Sequence, residues 1–315
     1  PMANGKTAIV FPGQGSQRHG MGKDFYDSIP ECRRVYEQAS DALGWDVAAL
    51  CFGEDEKLNL TAYAQPSIVA TEIAMLKAVI DKYGITPDVF GGHSLGEYTA
   101  LVAAGVLPLE TVLRIVHIRG SLMQEAVPAG EGAMAAVIRK DLNTRMIREL
   151  LADLPIDVAN INSPNQIVIS GRSKAMPEAE ERLAKALADE NPTRFVALNV
   201  SAPFHSRFMQ TIEEPFEGEL ACVRRQMKAE NAVRVTSNFT GGFHSPDREE
   251  VIERLVAQLS GTVQWCDNMR AIASQADTVY EIGPNRPLRD FFKTIGVTCI
   301  SLTTLSSAER TFAGN

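Results

Sequence analysis

The segment Gly92-His93-Ser94-Leu95-Gly96 sets a serine between two glycines, each two residues away, after the apolar pair Val89-Phe90 and ahead of a helix-like run. That is the pattern of a nucleophile elbow, a turn from strand to helix so tight that side chains at the glycine positions would strike the backbone. The turn lifts the Ser94 hydroxyl clear of the sheet. It also leaves the serine at a helix N-terminus, where free N–H groups and the helix dipole favour a developing oxyanion. The chemistry on offer is attack on an acyl group. The same letters also occur in plain glycine-rich turns, so a base and a substrate anchor have to be sought elsewhere in the chain.

The chain has five histidines. His93 shares the strained turn with Ser94 and is expected to point away from it, in a packing role. His19 and His244 lie in polar, glycine-containing loops and read as solvated. His117 falls inside a long helical run and reads as structural. His205, in Ser201-Ala202-Pro203-Phe204-His205-Ser206, follows a strand and precedes a helix where the chain re-enters the larger alternating pattern, and it is the best candidate for the base.

Arg119 carries a different signal. On a wheel of 3.6 residues per turn, Val112, Ile115, Val116 and Met123 form one stripe of the run Leu109–Val127, with Arg119 at its centre and Glu110, Arg114 and Glu125 opposite. Arginine on an apolar stripe is costly unless paired. Its neighbours at three and four residues are Ile115, Val116, Leu122 and Met123, so no acid on its own helix can serve. Either the side chain snorkels or pairs with a distant acid, or its partner is a carboxylate on the substrate, which a guanidinium fork fits with two parallel hydrogen bonds.

These residues need a scaffold. Thr7–Phe11 reads as a buried strand running into the Pro12-Gly13-Gln14-Gly15 loop. Helical runs follow at Pro30–Leu43 and Gln65–Tyr83, then a strand at Val89–Gly92 and helices near Leu95–Ala104 and Leu109–Val127. Later come a strand at Val233–Ser237, a helix near Arg248–Ser260, a strand at Thr278–Ile282, a helix near Leu288–Ile295 and a strand at Thr298–Leu302. Strands alternating with helices indicate an α/β chain with a mostly parallel sheet covered on both faces. The middle differs. Ala133–Ile138, Leu142–Leu151, Asp157–Ile161, Gln166–Ser170, Pro177–Asp189 and Arg194–Val200 read as β-α-β-β-α-β, the ferredoxin-like order. We therefore expect a large domain of residues 2–130 and 201–315, interrupted by a small ferredoxin-like domain of residues 131–200, with a binding cleft between them.

Bulk properties narrow the setting. The 315 residues are 45% hydrophobic and 22% charged, ordinary globular composition, and the formal net charge of −8 disfavours nucleic acid and anionic membranes. Five scattered cysteines argue for a reducing cytoplasm and against both a disulfide framework and zinc. No apolar run approaches the ~20 residues of a membrane span. Pro1 ahead of Met2 reads as a cloning remnant and is set aside. Monomer is the default expectation.

Taken together, Phe11-Pro12-Gly13-Gln14-Gly15-Ser16-Gln17, the elbow Gly91–Glu97, Arg119-Gly120-Ser121-Leu122-Met123-Gln124 and Glu281-Ile282-Gly283-Pro284 resemble the malonyl-CoA:acyl carrier protein transacylases. The resemblance runs from Thr7 to Leu302 in the family's order. It implies a large α/β-hydrolase-like domain with a ferredoxin-like insertion, agreeing with the pattern above. It implies Ser94 as the acyl-accepting nucleophile, His205 as its base, Arg119 as the holder of the malonyl carboxylate, and the backbone N–H groups of Gln14 and Leu95 as oxyanion donors. Gln258 matches a position whose backbone carbonyl steadies the histidine in place of a triad aspartate. The segment Gly261–Trp265 keeps only part of the family's pattern, and an exposed helix glutamine stays open as the alternative for Gln258. No metal or bound cofactor is implied; malonyl-CoA is the substrate and phosphopantetheine belongs to an acyl carrier protein partner.

Phe204 is the residue that bears on pathway. In polyketide-synthase acyltransferases similar to this chain, phenylalanine before the histidine accompanies malonyl selectivity, since a ring there fills the space an α-methyl group needs. It tilts the reading towards a free-standing enzyme that serves a polyketide synthase rather than fatty acid synthesis. Two rival readings are a thioesterase or other hydrolase on the same Ser-His site, and a non-catalytic docking protein. Arg224, Arg225 and Lys228 form the densest basic group for an acidic carrier, or else a solvated helix face.

Overall fold

Alternate residues of the first strand enter two different cores, and that fixes its place at the middle of a covered sheet. In a computed structural model that describes residues 5–314, strand β1 (Thr7–Phe11) sends Ala8 and Val10 to a core with Trp265, Ile272 and Phe292, while Ile9 and Phe11 join the larger core on the other face. Pro1 and Met2 lie outside the described residues. A strand buried on both faces reads as a continuous apolar run, as Ala-Ile-Val-Phe does.

The remaining strands are β2 (Val89–Gly92), β3 (Gly132–Ile138), β4 (Ile156–Ser163), β5 (Gln166–Arg172), β6 (Arg194–Ala197), β7 (Thr278–Ile282) and β8 (Cys299–Leu302). Strands β1, β2, β7 and β8 form a parallel sheet in the order β2-β1-β7-β8. Phe11 stands opposite Gly92, so the loops after β1 and β2 leave the same edge side by side. Loops at the C-terminal edge of a parallel sheet are where such folds assemble sites. This register is what brings the Gln14 loop to the Ser94 turn.

The other four strands form an antiparallel sheet, β4-β5-β3-β6, with helices Thr144–Leu150 and Met176–Ala186 in the expected β-α-β-β-α-β order. Its core is its own, built from Ala135, Val137, Ile147, Ile169, Leu183 and their neighbours. At β4 the small sheet is tied to Val263, a residue of the core under the parallel sheet: Ile161 N–H donates to Val263 O and Val263 N–H donates to Ala159 O. Arg207 adds a forked ion pair with Asp157.

Several elements depart from expectation. Val233–Ser237 is no strand: a 3-10 turn covers Ala229–Arg234, and only an isolated bridge, Val235 to Phe90, continues the sheet. The chain turns at once, Ser237 N–H donating to Gly242 O and Gly241 N–H to Ser237 O, which ends the pairing. The last small-sheet strand stops at Ala197 rather than Val200 and is largely exposed. Helices Lys23–Ser28, Val47–Phe52, Trp265–Ala273 and Leu305–Phe312 had no sequence counterpart.

One expected helix begins early. It spans Thr61–Tyr83, although Pro66 lies inside it. Proline cannot donate to the carbonyl four residues back. That carbonyl, on Ala62, accepts instead from His117 Nδ1 at 2.8 Å, which gives His117 its structural role.

Candidate active site

Ser94 sits at φ 51°, a left-handed conformation that costs a serine on the order of 1–3 kcal/mol unless its surroundings hold it. The flanking glycines are required: a Cβ on Gly92 would overlap the Gly96 carbonyl, and one on Gly96 would overlap Phe11 O. The turn is pinned from outside by Asn238, whose Oδ1 accepts from Ser94 N–H at 2.8 Å and whose Nδ2 donates to Gly92 O at 2.8 Å. Asn238 is fully buried and carried no signal in the sequence. The loop that ruined the Val233–Ser237 strand is the one that delivers it.

The Ser94 hydroxyl donates to His205 Nε2 at 2.7 Å, and His205 Nδ1 donates to the Gln258 carbonyl at 2.7 Å. A carbonyl thus occupies the place of a triad acid and fixes the tautomer that leaves Nε2 free to accept a proton. Burial, and then the nearby Arg119 charge, push His205 down to about 3, against the pull of the Gln258 carbonyl. Its imidazole is therefore neutral near pH 7, the form a base requires.

Arg119 is buried, 1% exposed, on the apolar stripe the wheel places it on. Its NH1 donates to Gln65 Oε1 at 3.0 Å; its NH2 donates to Gln258 Oε1 at 2.9 Å and to Ser94 Oγ at 3.3 Å. The guanidinium also lies over the Tyr98 ring, 5.2 Å from its centre. Its Nε has no partner, and no carboxylate forms an ion pair with it among the described residues. Snorkelling and pairing with a distant acid are both excluded by this arrangement. Burial pulls the guanidinium below the ordinary arginine range, with Tyr98 and Glu97 acting the other way.

The Gln14 loop meets the elbow closely enough that a Cβ on Gly13 would overlap His93 O and lie 3.5 Å from Leu95 N. Neither the Gln14 nor the Leu95 backbone N–H has a protein acceptor among the described residues. The Gln14 side chain donates to Thr61 Oγ1 at 3.1 Å, which holds the loop. Behind it, Gly283 leaves room for the Pro12 ring, whose Cγ would be 2.6 Å from a Cβ there. Glu281 of the same motif accepts from Leu288 N–H at 3.0 Å and Arg289 N–H at 3.1 Å, tying β7 to the next helix; burial pushes its carboxyl up to about 7.

Gln258 is not an exposed helix residue. The helix ends at Ala257, and Gln258 is 1% exposed. His244 is likewise not solvated: its ring is buried and Nε2 donates to Glu97 Oε2 at 2.9 Å, because the 237–244 loop folds inward against the elbow helix. His93 faces Asn162 Oδ1 at 2.6 Å and packs on Trp265, away from the Ser94 hydroxyl, and His19 is exposed. Phe204 is buried beside His205. Arg224, Arg225 and Lys228 are all exposed, and among the described residues Arg224 pairs with Glu249. No group of three metal-ligating side chains occurs among the described residues. A separate cleft of about 360 Å³ opens between β4 and Ser260–Thr262, lined in part by Arg148, Asp157 and Arg207; it does not include Ser94.

An elbow serine, a histidine neutral at physiological pH and a buried cation within reach of both define a serine-dependent acyl group-handling site. Comparison with known proteins agrees. The family described as "Acyl transferase domain" matches residues 8–289. The malonyl CoA-acyl carrier protein transacylase of Bacillus subtilis (strain 168) is 39% identical over 297 residues, 92% of this chain and 90% of that protein. A solved malonyl CoA-acyl carrier protein transacylase from Clostridium perfringens superposes with a TM-score of 0.89 at 37% identity, covering 98% of this chain and 96% of the other. A type II polyketide-synthase acyl carrier protein in complex with its malonyl-transacylase offers a second match, with TM-score 0.88, 34% identity and coverage of 98% and 100%. This chain belongs to the malonyl CoA-acyl carrier protein transacylase family of acyl transferase domains.

Proposed function

We infer that the protein transfers a malonyl group from malonyl-CoA to the phosphopantetheine thiol of an acyl carrier protein, through a malonyl ester on Ser94, for fatty acid or polyketide synthesis. The observation that carries the reading is Arg119, a buried guanidinium 3.3 Å from the serine oxygen that is hydrogen-bonded to amides and, among the described residues, ion-paired with no carboxylate. A substrate carboxylate completes that site, and an apolar acyl chain would not.

In the first step His205 Nε2 takes the Ser94 proton as Oγ attacks the thioester carbonyl, and the Gln14 and Leu95 N–H groups hold the oxyanion. The C–S bond breaks, and CoA leaves as the thiol with the proton from His205. In the second step His205 deprotonates the phosphopantetheine thiol, the sulfur attacks the Ser94 ester, and the serine oxygen leaves with that proton. The Gln258 carbonyl keeps the ring oriented through both steps. Phe204 narrows the space beside the base against an α-methyl group, which would favour malonyl over methylmalonyl.

In this reading, residues 2–130 and 201–315 form one α/β-hydrolase-like domain and residues 131–200 an inserted ferredoxin-like domain; support comes from the β6-β3-β5-β4 order and the separate core of the small sheet. The five free cysteines fit a reducing cytoplasm. No helix among the described residues is long and apolar enough to cross a membrane.

The test is intact-protein mass spectrometry after incubation with malonyl-CoA. A malonyl adduct should form on the wild type, vanish when a phosphopantetheinylated carrier protein is added with gain of the same mass on the carrier, and be absent from a folded Ser94→Ala variant. An adduct of normal yield on that variant, or loss of the adduct to water as fast without carrier as with it, would overturn the assignment.

A further inference from the structure

Glu97 lies three residues after Ser94 in the first turn of the elbow helix, and its carboxylate is 1% exposed. Three donors converge on it. Oε1 accepts from Asn238 N–H at 2.9 Å and from Gln258 Nε2 at 3.2 Å, and Oε2 accepts from His244 Nε2 at 2.9 Å. None of these touches a reacting atom, and the mechanism above makes no use of the group. A buried carboxylate with this many directed partners is expensive to retain without a purpose.

The purpose shows in the Gln258 carboxamide. Its Nε2 is surrounded by three acceptors: Ser94 O at 3.1 Å, Asn238 Oδ1 at 3.0 Å and Glu97 Oε1 at 3.2 Å. Its Oε1 faces the Arg119 NH2 at 2.9 Å. Turning the amide over would set a carbonyl oxygen against three acceptors and an NH2 against a guanidinium. With Glu97 in place, only one orientation is open.

We propose that Glu97 is a specificity-determining positioning residue: through the Gln258 carboxamide it aims the Arg119 guanidinium at the substrate carboxylate, and so sets the preference for malonyl over uncharged acyl groups. The proposal rests on the reading of Arg119 as the carboxylate anchor. The chain of contacts is directional. Glu97 holds the amide by its NH2 end, the amide holds NH2 of Arg119, and Gln65 holds NH1. Without the Glu97 acceptor, the NH2 end loses one of its three partners, and the carbonyl end is held less firmly in the direction that fixes the fork.

The experiment measures single-turnover acylation of Ser94 by malonyl-CoA and acetyl-CoA in the full chain, with thermal melting in parallel. Glu97→Ala should lower the malonyl-to-acetyl rate ratio by roughly tenfold to a hundredfold, the range spanned by a charge-assisted hydrogen bond, mainly through malonyl-CoA. Glu97→Gln should keep the ratio near wild type. Its amide oxygen can replace Oε1, and its NH2 can donate to His244 Nε2 if that ring moves its proton to Nδ1, which has no partner now. Gln258→Leu, which retains the backbone carbonyl beneath His205, should match Glu97→Ala, and the double variant should lose no more than either single one.

A folded Glu97→Ala with an unchanged ratio overturns the proposal, as does Glu97→Gln losing as much as Glu97→Ala. Should Glu97→Ala not fold, Gln258→Leu decides: loss of the ratio supports the relay, and an unchanged ratio or a second failure to fold marks the pair as structural and overturns it. Arg119→Ala separates the two levels. If it keeps malonyl preference, the anchor itself is wrong; if it loses preference while Glu97→Ala does not, only the present proposal falls.

Discussion

The small antiparallel sheet and the C-terminal edge of the parallel sheet treat polarity in opposite ways. Beneath the small sheet the interior is aliphatic, with Val137, Ile147, Ile169 and Leu183 all but inaccessible, and its ion pairs, Arg145–Glu149, Lys185–Glu181 and Arg182–Asp153, lie towards solvent. At the elbow the reverse holds: Glu97, Arg119, His205, Asn238 and Gln258 are each 3% exposed or less. Burying apolar area stabilises the first region without directional demands. The second carries the desolvation cost of amides and charges, tolerable only because nearly every polar atom meets a partner. Arg119 Nε is among the exceptions, in the guanidinium to which we assign the substrate carboxylate. Stability and function are thus concentrated in different places, and substitutions should separate them.

The largest effect is expected at His205. His205→Ala should slow acylation of Ser94 by ~10²–10⁴-fold with modest change in melting temperature, whereas His93, His117, His19 and His244 should affect rate only through folding. The same residue sets a pH signature. Because burial and the Arg119 charge push His205 down to about 3, kcat/KM for malonyl-CoA should hold as pH falls from about 8 through 6.5, the usual histidine midpoint. A titration of activity centred near 6.5 would contradict this environment. Below that value the unfolded chain protonates this histidine before the folded one does, so the fold should lose stability as pH falls from 6.5 towards 3.

Arg119→Ala should come next. Removing one partner of a buried, charge-assisted contact costs ~3–5 kcal/mol, or about two to three orders of magnitude in kcat/KM for malonyl-CoA, while slow acylation by acetyl-CoA stays level or improves. Equal losses on both thioesters would place Arg119 with the structural residues and erase the contrast between the regions.

The small sheet should answer in stability alone. Leu183→Ala, in the middle of its core, should cost ~2–5 kcal/mol by chemical denaturation and leave the malonyl-to-acetyl ratio untouched. A changed ratio would mean that the small sheet shapes the site. Smallest of all, Arg182→Ala removes exposed pairs with Asp153 and Glu178 and should barely move the melting temperature.

Legibility in the sequence followed the same divide. Pro30–Leu43 and Thr278–Ile282 were bounded to the residue, and the Arg119 stripe followed from its wheel, because periodicity, caps and proline act over a few residues. Val233–Ser237 misled because β-branched composition cannot show that a turn at Ser237 cancels the pairing. His244 was misread for a related reason: polar neighbours in sequence suggest water, but long-range packing put Glu97 beside it instead. Glu97 stood inside the recognised elbow segment, yet its partners come from residues 238, 244 and 258, which no local spacing connects.

By itself, then, the sequence determined the strands of the two sheets, the longer helices, the elbow, the odd arginine on an apolar stripe and the family, since each is written in local order or in motifs kept in order along the chain. Tertiary structure alone decided which groups meet. The register that sets Phe11 opposite Gly92 brings the Gln14 loop to the serine, the inward 237–244 loop supplies Asn238 and His244, and the break after Ala257 turns a glutamine carbonyl onto His205 and its amide onto Arg119. Those meetings join residues more than a hundred positions apart in several cases, and their energies depend on burial, which exists only once the whole chain has packed.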